Sequence, residues 1–192
     1  NGSVVRMFCD ICHPDGKPLE TDSRYILKRA VEYAKDRGLK CYFGSKFEFY
    51  LFETDERGEP TDMPFDKAGY LDIAPGDRGE NVRREICITL SEMGIQPESS
   101  HHEEGPGQNE IDFRYSDAIS AADNAVTFKA VDRTIAKANG LYANFDPKPI
   151  KGKSGNAMHI NISIDGQDSE KKIYSFMAGV MEHINEITAF LN

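Results

Sequence analysis

The 192-residue chain reads as an α+β domain, and three observations predict it. Two stretches, KCYFGSKFEFYLFE and AMHINISI, alternate apolar and polar residues with the period of two that a half-buried strand requires. Around them, apolar residues recur at the spacing of amphipathic helices, and three of these patterns stop at a glycine. No repeat, low-complexity tract or linker divides the chain, so its length fits one hydrophobic core.

The first element expected is a strand through VVRMFCDIC that runs into the turn HPDG. The same residues spell CDICH, which matches the C-x-x-C-H pattern of haem attachment; the strand is preferred, because the chain otherwise reads as cytoplasmic. Thr21 or Asp22 then caps a helix with Ile26, Ala30, Tyr33 and Ala34 on one side and Gly38 as its stop. In the long strand that follows, Phe47, Phe49 and Leu51 share one face, and Lys46, Glu48 and Tyr50 share the other. Seven glycines and prolines between Gly58 and Gly79 read as a long irregular excursion. A second helix carries the stripe Val82, Ile86, Leu90 and Met93 before Gly94. A third runs from about Ser120 to Asn139 with Val126, Val131 and Ile135 inward, and LYANFDPKP follows as a strand. In AMHINISI, Met158, Ile160, Ile162 and Ile164 oppose His159, Asn161 and Ser163, and a last helix begins near Ser169.

Charge and composition narrow the function. A net charge of −9 repels nucleic-acid backbones, so nucleic acid is not an expected partner. No run approaches the ~18 apolar residues of a membrane span, and NGSVVRMFCD lacks the pattern of a secretory leader, so the expectation is a cytoplasmic protein away from membranes. Four scattered cysteines, Cys9, Cys12, Cys41 and Cys87, are expected as free thiols.

The chemistry concentrates in HHEEGPGQNEIDF, residues 101–113. Glu48, Glu103 and Glu110 fall in strands or at their ends, among apolar residues that draw them inward, and a buried carboxylate needs a cation or an arginine beside it. One such glutamate would read as an ordinary ion pair; three, with His159, point to a hard divalent cation such as Mg²⁺ or Mn²⁺. His101 and His102 could each be a metal ligand, a phosphate contact or a satisfied core group. Zinc finds no cysteine near these histidines, and neither a G-x-S-x-G elbow nor a G-x-x-x-x-G-K-[ST] loop is present.

The segments GYLDIAPGDRGENVRREICITLSEMGIQPESSHHEEGPGQNEIDFRY, ADNAVTFKAVDRTIAKANGLYANFDPKP and GNAMHINIS resemble the catalytic domain of glutamine synthetase in order and spacing, over nearly the whole chain. The resemblance implies that residues 1–192 are part of that domain, a curved, mostly antiparallel sheet with helices on its outer face. It implies an ATP-dependent ligase that phosphorylates the side-chain carboxylate of glutamate and lets ammonia displace the phosphate. Mg²⁺ or Mn²⁺ would assist, with Glu48, Glu103 and Glu110 on the first cation and the position of His159 on the second. By the same resemblance Glu98, His101 and Ser163 contact the nucleotide, and Gly155 with His159 beside it forms the glutamate-binding loop.

Two positions depart from the family. Lys46 stands where a glutamate ordinarily binds the second cation, so its ammonium either takes that cation's place or marks its loss. Ser154 stands where an asparagine contacts substrate, which opens the family's other expectations: a ligase for a different acid or amine, or a non-catalytic structural or regulatory relative. The resemblance starts after a small N-terminal β-grasp domain and stops before a C-terminal part that completes the site. From that follows the expectation that the chain alone has no ligase activity; the resemblance also implies that the full-length protein works as a homo-oligomeric ring.

Overall fold

The computed structural model describes residues 5–165 and 169–191. In chain order its elements are α1 (Ser23–Asp36), β1 (Lys40–Thr54), β2 (Pro60–Pro64), α2 (Glu80–Glu92), β3 (Pro97–His102), β4 (Gln108–Phe113), β5 (Ser116–Asp117), α3 (Ala118–Ala138), β6 (Leu141–Asn144), β7 (Met158–Asp165), α4 (Ser169–Glu182) and α5 (Ile184–Leu191). The strands form one sheet, and every pairing within it is antiparallel. β1 is its spine. Along one edge β1 pairs with β5, β4 and β2, along the other with β7 and β6, while β3 lies outside β4. The register shifts between Phe52 and Thr54, where β2 has two extra residues, and between Pro97 and Ser99, where β3 has one.

The alternation in β1 divides the sheet into two faces. Phe47, Phe49 and Leu51, with Ile111 and Phe113 of β4, meet Val82, Ile86 and Leu90 of α2 and Phe128, Ile135 and Ala136 of α3. Each such side chain contributes roughly 1.5–3 kcal/mol when fully buried. The helices therefore cover the apolar face, and the face of Lys46, Glu48 and Tyr50 is left to polar residues. α2 ends in a Schellman turn: Gly94 N–H donates to Ser91 O and Ile95 N–H to Leu90 O. Ile95 enters the core there, while Met93, expected in the stripe, is the C-cap and stays exposed.

Several expectations are corrected. Among the described residues, 5–12 form no strand; Cys12 makes a single bridge to Pro18 around the HPDG turn, and Val5 and Met7 are exposed. An alternating pattern becomes a strand only where a neighbour can take its hydrogen bonds. The excursion between Gly58 and Gly79 contains the short edge strand β2, where its terminal prolines are tolerated. α3 starts earlier than expected, capped by Asp117; of the three residues expected inward, Ile135 joins the core and Val131 packs against it, while Val126 is 54% exposed and Phe128 and Asp132 are fully buried. α1 has the expected cap, Asp22, but buries no residue; Ile26 and Tyr33 are exposed, and Arg24 ties the helix to Asp123 of α3 through two hydrogen bonds. β6 covers only the first four residues of LYANFDPKP. The last expected helix is two, α4 and α5, with His183 between them. Cys9, Cys12, Cys41 and Cys87 are free, as expected. Among the described residues no helix is long and apolar enough to cross a membrane.

Candidate functional site

The polar face of the sheet is a grid fixed by strand register. One row runs His101, Glu110, Glu48 across β3, β4 and β1; the next runs Ser99, Asp112, Lys46, His159 across β3, β4, β1 and β7. Side chains directly opposite one another on antiparallel strands point to the same side, which is why residues distant in sequence meet here.

Glu48 accepts hydrogen bonds from Ala157 N–H (3.0 Å) and Gln108 Nε2 (3.2 Å), and its other oxygen lies 3.9 Å from His159 Nδ1. Lys46 Nζ donates to Glu110 Oε1 at 2.8 Å and stands 3.4 Å from Asp112 Oδ2. His101 Nε2 is 3.3 Å from the same Glu110 oxygen. Glu48, Glu110 and His159 offer ligand atoms within 4.8 Å of one another, and so do His101, Glu110 and Asp112. Glu103 joins neither group; its carboxylate accepts the N–H of Glu104 and lies 3.7 Å from His101 Nδ1.

Burial pushes the Glu48 carboxyl up, and the charges of Glu103 and Glu110 push it further, against the N–H of Ala157. The hydrogen bond from Lys46 to Glu110 holds the ammonium above the ordinary lysine range. Tyr50, next on this face, is pushed up to about 12 by burial and by the charges of Glu48, Glu104 and Glu103. A carboxyl raised by burial and by neighbouring carboxylates is short of positive charge, and a hard cation fits that deficit.

Around the grid the chain closes into loops. Gln108 Nε2 donates to Gly155 O (2.9 Å) and Asn156 Oδ1 (3.1 Å) as well as to Glu48, tying the 147–156 loop to the acids. A Cβ at Gly155 would lie 2.6 Å from Pro147 O, so the loop passes too close for any side chain there. Ser154 O accepts the Tyr50 hydroxyl (2.7 Å), and the Ser154 hydroxyl donates to Glu104 (2.6 Å).

Beside His101 a cavity of about 750 Å³ opens between β3, α2 and the 71–77 loop, lined by Glu98, His101, Arg83, Arg84, Leu71 and Ile73. Two of the three expected nucleotide residues thus share one cavity. Ser163 does not line it; it is exposed on β7, four residues beyond His159 and on the same strand face.

The two histidines separate cleanly. His101 faces the acids, and His102 is fully buried on the other side, its Nδ1 2.6 Å from Glu103 O and its Nε2 2.8 Å from Asp66 Oδ1. Burial alone would lower His102, but Asp66 and the Glu103 carbonyl outweigh it and raise it. Burial would likewise raise Asp66; His102 and the N–H groups of Gly107 and Arg78 hold it below the usual range. This pair fastens the 103–107 turn to the 65–78 loop. Sequence reasoning singled out neither Gln108, Asp112 nor Asp66. The first two lie two residues either side of Glu110, so strand parity alone puts them on its face; Asp66 carried no local signal.

An antiparallel sheet has helices on one face and, on the other, a grid of carboxylates and imidazoles whose donor atoms could hold a cation, bordered by a cavity. The glutamine synthetase catalytic-domain family matches residues 20–192. The chain is 47% identical over its whole length to glutamine synthetase of Clostridium saccharobutylicum and 43% identical to that of Thermus thermophilus, covering 46% of each. Among solved structures it resembles Plasmodium falciparum glutamine synthetase, with a TM-score of 0.83 at 26% identity over 95% of this chain and 44% of that one. It also resembles GmaS in complex with ADP, with a TM-score of 0.79 at 28% identity over 91% of this chain and 44% of that one. The chain belongs to the glutamine synthetase family, and it spans about half the length of the relatives it matches.

Proposed function

We propose that the chain is catalytic-domain sequence of an ATP-dependent ligase that joins glutamate and ammonia. The observation that carries the reading is the convergence of Glu48, Glu110 and His159 on one sheet face, with Glu103 beside them, in a chain of this family. In such a reaction the side-chain carboxylate of glutamate takes the γ-phosphoryl group of ATP, releasing ADP; ammonia then attacks the acyl phosphate, phosphate leaves, and a proton is lost from nitrogen.

The roles divide by location. Glu48, Glu103 and Glu110, with His159 to one side, would hold Mg²⁺ or Mn²⁺. When bound, that ion supplies positive charge where phosphoryl oxygens become more negative. Glu98 and His101 line the cavity on the nucleotide side, and the structural relative GmaS is described in complex with ADP; Ser163, on β7 outside that cavity, would be a further nucleotide contact as the family resemblance implies. Gly155 brings the backbone of the 147–156 loop next to Gln108 and Glu48, so that this loop, with Ser154 and His159, shapes the acid's place. A homo-oligomeric ring in the cytoplasm completes the proposal.

A second reading, a family ligase for another acid or amine, has one observation in its favour. The Ser154 hydroxyl, at the substrate-contacting position, is already engaged by the Glu104 carboxylate. Both readings are tested on a polypeptide of the relatives' full length carrying this sequence, by phosphate release from ATP with Mg²⁺ or Mn²⁺. Release with glutamate and ammonia supports the first, release only with another acid–amine pair supports the second, and none with any pair overturns both.

A further inference from the structure

The polar face carries two overlapping groups of potential ligands, Glu48/Glu110/His159 and His101/Glu110/Asp112, which share Glu110. Lys46 is placed asymmetrically between them. Its Nζ contacts Glu110 Oε1 at 2.8 Å and Asp112 Oδ2 at 3.4 Å, both carboxylates of the second group. Glu110 is almost fully buried, and Lys46 keeps about a third of its side chain open, so the ammonium reaches inward from the rim of the site. Register fixes this arrangement, because Lys46 lies directly opposite Asp112 on one side and His159 on the other. Asp112 Oδ2 also accepts the Ser99 hydroxyl at 2.6 Å, which holds the carboxylate toward Lys46.

We propose that Lys46 is a built-in cation that fills the His101/Glu110/Asp112 group, so that this sheet face takes one divalent ion, on the Glu48 side, rather than two. A divalent ion among Glu110, Asp112 and His101 would have to displace an ammonium that donates to Glu110 at 2.8 Å and lies 3.4 Å from Asp112, and like charges at such a distance repel. On the Glu48 side the ammonium touches only the shared Glu110; Glu48 itself is pressed by neighbouring carboxylates and accepts hydrogen bonds from two neutral N–H donors. A consequence is permanence. One of the two positive charges on this face is independent of the divalent ion concentration, and removing divalent ions from solution leaves it in place.

The inference rests on the cation-dependent reading above, and its test separates the two. Mn²⁺ binding is measured by isothermal titration calorimetry and by the electron paramagnetic resonance signal of free Mn²⁺. The proteins are a polypeptide of the relatives' full length with Lys46 intact, and its Lys46→Glu and Lys46→Gln variants. Expected is one ion per subunit with Lys46 and two in each variant, the second more than tenfold weaker in Lys46→Gln than in Lys46→Glu. Thermal unfolding identifies any variant that fails to fold, and the protein with Lys46 needs no variant to give its answer. Two ions per subunit with Lys46, or a single ion in both folded variants, would overturn the inference. No ion bound by any of the three would overturn it together with the cation-dependent reading. One ion with Lys46 but no phosphate release would leave the inference standing and defeat the ligase.

Discussion

Asp132 is fully buried in α3, and neither oxygen of its carboxylate has a hydrogen-bond partner. Burial pushes its pKa well above the ordinary aspartate value, with Arg133 opposing. A carboxyl with a raised folded-state pKa binds its proton more tightly folded than unfolded, so it takes stability away as pH climbs through and above its unfolded value. Asp132→Asn, which cannot ionise, should gain stability on the wild type as pH rises from 4 to 8 in denaturant titrations; parallel profiles would contradict this. Gly155 is the other residue with a sharp expectation. Alanine there drives a Cβ onto Pro147 O, and Gly155→Ala should lose about 1–3 kcal/mol in thermal unfolding and displace the loop beside Gln108. At this scale the sequence was informative wherever strand parity applied. Lys46 and Glu48 share a face as the alternation of β1 requires, and Met158 opposes His159 across β7. Parity says nothing of reach, so the turning of Glu103 toward His101 was not legible.

At the scale of elements, α3 shows what periodicity leaves open. Of the three residues expected inward, Ile135 and Val131 face the core with Phe128, and Val126 alone does not, lying about 200° round the helix from Phe128 at 3.6 residues per turn. The larger ring decides: Phe128 packs with ring centroids 5.0 Å from Phe47, 5.2 Å from Phe113 and 5.8 Å from Phe145. Phe128→Ala should therefore cost about 3–5 kcal/mol and Val126→Ala within about 0.5 kcal/mol of nothing, read from urea unfolding. Equal effects would contradict this placement of Phe128 and Val126. β2 escaped notice because its prolines argue against a central strand, and an edge position removes that objection. The expected strand through VVRMFCDIC failed for the complementary reason: among the described residues 5–12, pairing is limited to the single bridge from Cys12 to Pro18.

For the whole molecule, the division of labour is between the two faces of one sheet. Helices cover Phe47, Phe49 and Leu51, and that rigid backing holds Glu48, Glu110, Lys46 and His159 at fixed cross-strand spacing. The α+β class and the antiparallel sheet were legible because alternation and helical periodicity are local. The grid of acids and histidines was legible only as a list, because which of them meet depends on register between strands more than a hundred residues apart in sequence. The measurement that tests the account most directly is Mg²⁺-dependent phosphate release from ATP, with glutamate and ammonia, by a polypeptide of the relatives' full length, compared with its Glu48→Gln variant. The account predicts release by the parent and a loss on the order of 10²–10³-fold in the variant, with the fold kept. Release by Glu48→Gln at the parent's rate would contradict it.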